Sequence, residues 1–305
     1  MNASARAAVD WRGGPVTAST GEIVHVFVSN AVPLEVATPE GWAEFLSGVT
    51  HGAELAALTT RVAPLDEVRT ICGPSTLGCY GPNEMIVPSE AAEDGTPPEE
   101  VVRHEYGHHI AFHRQNPPWR AIDWGPKRWA SSADVCARVS RNEAFPGSGG
   151  RNYARNPGEA WAEVYRLMDE RKAGVTTATW TIIAPTFYPS EAALQAAERD
   201  VLEPWTRGRT LSFQRTFRQR TPKVWWIRLT TPLDGELRLT AALPRAGTQE
   251  VALVAGNRRT VLQRGQWVSQ RAKRLSRVVC GQRTLFLRVT QQGGLGSVRL
   301  TVSTP

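Results

Sequence analysis
The sequence predicts an α+β domain followed by an all-β sandwich, and three observations carry that reading. The chain has 305 residues, about twice the length of an ordinary domain, so two separate cores are expected. After Trp205 the pattern changes from mixed helix and strand signals to apolar residues at every second position, the period of a half-buried strand. The charge inverts at the same place: residues 1–205 hold 17 Lys/Arg against 26 Asp/Glu, net −9, whereas residues 206–305 hold 19 against 3, net +16. The boundaries that follow are an N-terminal tail over 1–20, an α+β domain over 21–205 and a basic β-sandwich over 206–305. A hydrophobic share of 41% with 11 tryptophans can fill two cores. No run reaches the roughly 18 apolar residues of a membrane span.

The elements follow in order. Glu22 to Val28 reads Glu-Ile-Val-His-Val-Phe-Val, β-branched and apolar, and predicts the first strand. Pro39 to Gly48 puts Trp42, Phe45 and Leu46 on one side of a helix. Asn83 to Pro88 is a short strand. Thr96-Pro-Pro-Glu99 has the signature of a helix start, with Thr96 as cap, Pro97 at the first helical position and Glu99 closing a capping box. That helix is expected to run to about Gln115, where Pro117-Pro118 stops it. Asn156-Pro-Gly-Glu159 opens a second helix to about Lys172, and a third is expected from Ser190 to Glu203. Beyond Trp205, the sets Trp225/Ile227/Leu229, Leu237/Leu239, Leu285/Leu287/Val289 and Val298/Leu300/Val302 mark strands. Turns such as Leu233-Asp-Gly-Glu236 and Ala255-Gly-Asn-Arg258 separate them.

Cys72 and Cys79 flank the turn Gly-Pro-Ser-Thr-Leu-Gly, which predicts a local disulfide and therefore an oxidising compartment. Cys136 and Cys280 read as either a second bridge or two buried thiols, and the thiols are favoured. Met1-Asn-Ala-Ser-Ala-Arg6 lacks the charged and apolar segments of a signal peptide. A secreted or extracytoplasmic location therefore rests on a signal absent from this sequence.

All six histidines lie between positions 25 and 113, and four of them fall within His104 to His113. There stands His104-Glu105-Tyr106-Gly107-His108, an HExxH motif on the predicted helix. Residues four apart share a helix face, so the two imidazoles can converge on one tetrahedral ion with Glu105 beside it. Zinc lowers the pKa of a coordinated water toward ~7, and a neighbouring carboxylate can accept its proton as it attacks a carbonyl. Catalytic zinc takes three protein ligands and keeps one open position, so a third ligand is required. A His-Glu-x-x-His-x-x-Gly-x-x-His extension would need Gly at 111 and His at 114, where the chain has Ala111 and Arg114. His113 is rotated off the face that His104 and His108 share, and His109 points elsewhere and reads as structural. Asp123 and Asp134 lie in loop-like sequence. Glu159 is the better candidate, because Glu159 and Glu163 stand four apart on the second helix. One can bind metal while the other takes the second ring N–H of a ligand histidine. Trp119, Trp124 and Trp129 recur at a five-residue spacing that matches neither helix nor strand, and read as packing ahead of a cleft wall.

His104-Glu-Tyr-Gly-His108 followed 51 residues later by Glu159, within Asn156-Pro-Gly-Glu-Ala-Trp-Ala-Glu163, resembles the gluzincin metallopeptidases. It is most similar to the anthrax lethal factor-like catalytic domain, whose pattern is HEFGH followed by a Glu-x-x-Ala-Glu-type helix. The resemblance covers residues 80–170 and implies a zincin-type α+β domain with one Zn2+ per chain. It implies His104, His108 and Glu159 as zinc ligands, Glu105 as general base and Tyr153 as oxyanion stabiliser. Tyr106 and Trp161 stand where that pattern has phenylalanines.

The basic C-terminal half is similar in texture to the pre-peptidase C-terminal and carbohydrate-binding-like β-sandwiches appended to secreted bacterial peptidases. Its charge favours acidic cell-surface polymers or polysaccharides. No finger, RNP-type or recognition-helix signature points to specific nucleic-acid binding. The expectation is a secreted zinc metalloendopeptidase acting on protein or peptide. The alternative is a non-catalytic binding or adhesion protein with a structural zinc site.

Overall fold
The computed structural model describes residues 9–176, 184–245 and 247–305. The chain forms two compact units, one of residues 1–115, 119–129 and 142–205 and one of residues 116–118, 130–141 and 206–305.

The first unit is a mixed sheet covered by helices. Its strands are β1 (Trp11–Thr17), β2 (Ile23–Ser29), β3 (Thr59–Ala63), β4 (Cys79–Gly81) and β5 (Glu84–Pro88), in the order β1-β2-β3-β5-β4. β2, β3 and β5 run parallel, while β1 and β4 lie antiparallel at the edges. The parallel pairs need crossovers, supplied by α1 (Pro39–Gly48) between β2 and β3 and by α2 (Leu65–Cys72) between β3 and β5. Register puts Val28, Val62 and Val87 in one buried row. On the opposite face Arg61 lies over the rings of Trp11 and Phe27 and pairs with Glu84 at 2.7 Å.

The tail expected over residues 1–20 is not a tail where it is described: β1 pairs with β2 along all seven of its residues. Two glycines and a proline in Trp-Arg-Gly-Gly-Pro-Val-Thr hid the strand. Gly13 is required there, since at its φ of +118° an added Cβ would meet the Val26 carbonyl oxygen at 2.3 Å. Residues 1–8 lie outside the described residues.

The two motif helices are α3 (Pro98–Phe112) and α7 (Pro157–Lys172). α3 is capped by Pro97 without a side-chain hydrogen bond, and the Thr96 N–H bonds the Asp94 carboxylate instead. The capping box expected at Thr96 and Glu99 is thus not made, and the helix stops at Phe112, three residues before Gln115. A ribbon of two-residue strands, β6 (Gln115–Asn116) and β7 (Trp119–Arg120), follows around the cis Pro117-Pro118 bond. The short helices α4 (Ala121–Trp124), α5 (Lys127–Ser132) and α6 (Val135–Ser140) come before a 3-10 turn, Gly150–Arg155. α7 begins as its sequence predicts, the Asn156 side chain accepting the Gly158 N–H at 3.0 Å. α8 (Glu191–Leu202) starts from the Ser190 cap.

α3 and α7 meet at Gly107 and Ala162. A Cβ at Gly107 would stand 2.8 Å from the Ala162 Cα, so the two backbones are in contact. Around that point Trp161 Nε1 donates to the Gly107 carbonyl at 2.7 Å, and buried Tyr106 packs on buried Tyr165. Buried Arg103 pairs with Asp169 at 2.8 Å, and the same carboxylate accepts the Thr50 N–H at 2.6 Å. At the far end Arg114 ties α3 to Glu54 at 2.9 Å and to the carbonyls of Asp200 and Val201.

The second unit is a β-sandwich. Its strands are β8 (Arg209–Phe217), β9 (Val224–Thr230), β10 (Gly235–Ala242), β11 (Glu250–Ala255), β12 (Val261–Arg264), β13 (Gln266–Ser269), β14 (Ala272–Val279), β15 (Thr284–Thr290) and β16 (Gly296–Thr304). They form the antiparallel sheets β13-β14-β10-β16-β8 and β12-β11-β15-β9. Leu237, Leu239, Leu275 and Leu300 of one sheet share a core with Leu253, Leu285 and Leu287 of the other. The alternation read from the sequence is what fills this core.

Cys72 and Cys79 are joined, closing the loop between α2 and β4. Cys136 and Cys280, favoured as thiols, form a second disulfide. The reason is topological: α6, which carries Cys136, belongs to the sandwich unit although 144 residues separate the two cysteines. Ser131 of the same segment accepts the Asp234 N–H through its hydroxyl and an Arg283 N–H through its carbonyl. Among the described residues no helix is long and apolar enough to cross a membrane.

Two predictions follow from the packing. Gly107→Val forces the α3 and α7 backbones apart and is expected to lower stability by roughly 1–3 kcal/mol. An unchanged thermal midpoint would refute the close crossing. Asp200 is buried, and although it accepts the Arg128 and Trp129 N–H groups, burial dominates and raises its pKa to about 6. A carboxyl raised in the folded state stabilises most below its unfolded pKa, and that contribution is lost as pH rises through about 6. Relative to Asp200→Asn, the wild-type chain is expected to lose on the order of 2–3 kcal/mol between pH 4 and 7, read by denaturant melts.

Candidate metal centre
α3 carries His104, Glu105 and His108, and α7 carries Glu159 in its first turn and Glu163 one turn on. The four-residue spacing sets the His104 and His108 rings edge to face with centroids 5.0 Å apart. Glu159 Oε2 stands 3.3 Å from His104 Nε2 and 3.3 Å from His108 Nε2. One donor atom from each of the three residues lies within 4.8 Å of the other two. Zinc bonds of about 2.0–2.2 Å at tetrahedral angles put neighbouring donors about 3.3–3.5 Å apart, so these two separations are compatible with a shared zinc ion as well as with the His104–Glu159 hydrogen bond. Two imidazoles and a carboxylate are also a donor set that catalytic zinc takes.

A second layer orients the first. His104 Nδ1 faces Glu163 Oε1 at 2.9 Å, which turns Nε2 toward Glu159. Glu163 is held in turn by Arg166, whose Nη2 donates to Oε2 at 2.8 Å while Nη1 bonds Glu170 at 2.8 Å. Burial opposes charge on His104, yet its bonds to Glu159 and Glu163 prevail and raise its pKa to about 10. Burial would raise Glu159 as well, but the neighbouring imidazoles hold it far below the ordinary carboxylate range. The centre therefore favours positive charge, whether an imidazole proton or a metal cation.

Glu105 is buried and lines a cavity of about 720 Å³ with His104, Tyr153, Glu163 and Arg166. Burial raises its pKa, the two imidazoles oppose that rise, and Glu159 adds to it. The loop closed by the Cys72–Cys79 bridge forms another wall. At Gly78 a Cβ would meet Val101 at 2.7 Å and the Glu105 carboxylate at 3.1 Å, so the absent side chain gives Glu105 its place. Tyr153 sits on the 3-10 turn before α7, and its hydroxyl donates to Glu159 Oε2 at 3.0 Å. Burial and the Glu159 charge both push the phenol pKa up, so it remains a donor.

The other residues weighed from the sequence lie elsewhere. His109 bonds Tyr80 and the Glu54 carbonyl, and His113 Nε2 bonds Asn83 at 2.7 Å. Asp123 pairs with Arg120, and Asp134 belongs to the sandwich unit. Trp119 and Trp124 stack at 4.5 Å, while fully buried Trp129 packs on Trp161. None of these three tryptophans lines the cavity. Sequence reasoning missed Arg166, although its spacing from Glu163 and Glu170 is that of helical ion pairs. It also missed Gly78, whose role exists only in three dimensions.

No protein-family model matches the sequence, and no curated protein matches it. Among solved structures, the chain is similar to the pre-peptidase C-terminal domain of a collagenase from Bacillus anthracis, at 11% identity and a TM-score of 0.26, over 32% of this chain and 89% of that one. It is similar to a mitogen derived from Yersinia pseudotuberculosis, at 9% identity and a TM-score of 0.25, over 32% and 87% of the two chains. It is also similar to PliG, a periplasmic inhibitor of g-type lysozyme from Aeromonas hydrophila, at 11% identity and a TM-score of 0.23, over 32% and 85%.

Glu159→Ala is expected to weaken zinc binding beyond the roughly 10–100-fold expected for loss of an outer partner such as Glu163, while Asp123→Ala leaves it unchanged. Calorimetric titration with zinc measures both, and the reverse order would reassign the third ligand.

Proposed function
We propose that the chain is a secreted zinc metalloendopeptidase of gluzincin type, with a zincin-type catalytic unit. One observation carries the reading: two imidazoles from α3 and a carboxylate from α7 meet at zinc-ligand separations, 3.3 Å from Glu159 Oε2 to each ring nitrogen. His104, His108 and Glu159 would hold the ion, one per chain, with Glu163 and Arg166 keeping the His104 ring in orientation. Bound zinc supplies a Lewis acid that polarises a carbonyl and lowers the pKa of water.

The remaining work falls to the protein. Glu105, facing the cavity from the same helical turn, accepts the proton of the attacking water at its carboxylate and returns it to the leaving amine. The Tyr153 hydroxyl exchanges its Glu159 partner for the oxygen on which negative charge develops. The cavity beside Glu105 is large enough to seat a peptide side chain. Both disulfides suit an oxidising, extracytoplasmic setting.

Protein purified without chelator is expected to contain about one zinc per chain and to cleave an unfolded protein such as casein. Glu105→Gln should retain the zinc and lose roughly 10²–10⁴-fold in rate. Absence of stoichiometric zinc, or full activity in Glu105→Gln, would overturn the proposal.

A further inference from the structure
We infer that the outer face of the sheet β13-β14-β10-β16-β8 is a binding surface for an acidic polysaccharide. Strand register decides which residues this face presents. Leu237, Leu239, Leu275, Leu300 and Val302 point to the core, so their neighbours in each strand point out. Pairing aligns Gln266, Arg274, Thr240, Thr301 and Ser212 in one row, one residue per strand, and all five are exposed. Arg238 lies in the adjacent row on one side and Arg299 in the adjacent row on the other, both exposed. The one carboxylate on this face among the described residues, Glu236, is bonded to Arg238 and Ser276. A depression of about 520 Å³ touches Arg238, Thr240, Gln266, Arg274 and Ser276, and its lining includes the apolar Leu239, Leu275 and Val268 and Gln263 of β12.

The chemistry of these groups selects the partner. Guanidinium forks match carboxylate and sulfate oxygens through paired N–H bonds. Arg238 and Arg274 are diagonal neighbours on paired strands, about 7–8 Å apart at the backbone, so both can reach one anionic group when Arg238 exchanges Glu236 for it. Ser, Thr and Gln side chains donate and accept, as sugar hydroxyls do. Among the described residues this face presents no ring on which a nucleic-acid base could stack and no aromatic anchor of the kind that holds a protein partner, since Trp267 of the edge strand pairs with Lys273 and belongs to the opposite row. A face made only to be soluble mixes both signs of charge. Here, among the described residues, three arginines share the face with one carboxylate, itself bonded to Arg238 and Ser276, in a half of the chain whose net charge is +16. That field attracts a polyanion from a distance, and the row of short side chains then reads its hydroxyls.

The test uses the full chain in affinity electrophoresis against polygalacturonate, dextran sulfate, neutral dextran and duplex DNA. Binding to one or both acidic polysaccharides, weakened by salt, is expected, with none to neutral dextran. The polyanion bound identifies which anionic group is read. The triple variant Arg238→Ser, Arg274→Ser, Arg299→Ser should bind about tenfold or more weakly. A control with the same charge loss on exposed loop residues, Arg207→Ser, Arg218→Ser, Arg220→Ser, should stay within about twofold of wild type. Melting curves verify that both triples fold, and replacing the three face arginines by lysine recovers part of the affinity. Equal losses in the two triples would mean that net charge alone binds, and would overturn the assignment. So would duplex DNA bound as tightly as the polysaccharides, or no binding to either polyanion.

Discussion
The backbone contact between α3 and α7 at Gly107 and Ala162 is the constraint on which the convergence of His104, His108 and Glu159 depends. Gly107 lies between His104 and His108, and Ala162 between Glu159 and Glu163. The place where the helices touch is therefore bracketed by the groups that must converge. Any side chain at Gly107 would widen the crossing, and each increment would separate imidazole from carboxylate. The bonds around the contact, from Trp161 to the Gly107 carbonyl and from Arg103 to Asp169, fix the remaining freedoms of rotation and slide. Gly107 thus sets both the helix crossing and the spacing between the imidazoles and the carboxylates.

α7 shows what a buried polar helix needs. Glu163, Arg166, Asp169 and Glu170 are all buried, a placement that charged side chains tolerate only when paired. Arg166 answers both Glu163 and Glu170, and Arg103 answers Asp169. The same pairing that makes burial tolerable orients the His104 ring. Structural electrostatics and the geometry of the centre are here one network, so the charge of α7 cannot be altered at Arg166 without disturbing Glu163.

Much of this was legible in the sequence, and the parts that were not share a cause. The HExxH spacing, the Asn156 cap and the second carboxylate pair are local patterns on helices, where spacing alone dictates a common face. Of the sandwich strands, β9, β10, β15 and β16 declared themselves through apolar residues at every second position, whereas β11 is buried on both faces from Val251 to Val254 and β13 is exposed throughout, so neither shows that alternation. β1 was hidden because two glycines and a proline interrupt its pattern, and Gly13 is there for a close approach to β2 rather than for strand propensity. β3 and α2 were hidden because they are short and set among turn residues. The second disulfide was misread because sequence separation says nothing about which core a segment joins. Thr96 was expected to cap α3 on good local grounds, but the helix begins at Pro98, so the cap position falls on Pro97, which has no side-chain acceptor.

The path of the chain between the units carries a consequence of its own. It passes from the first unit to the second at 116–118, returns, passes again at 130–141 and returns before entering the strands at 206. The sandwich is thus not a cassette strung on at the end. Cutting the gene after Trp205 would strand a twelve-residue piece of the missing half inside the remainder, with Cys136 deprived of its mate. A sandwich half begun at residue 206 would in turn lack residues 130–141, and with them the mate of Cys280.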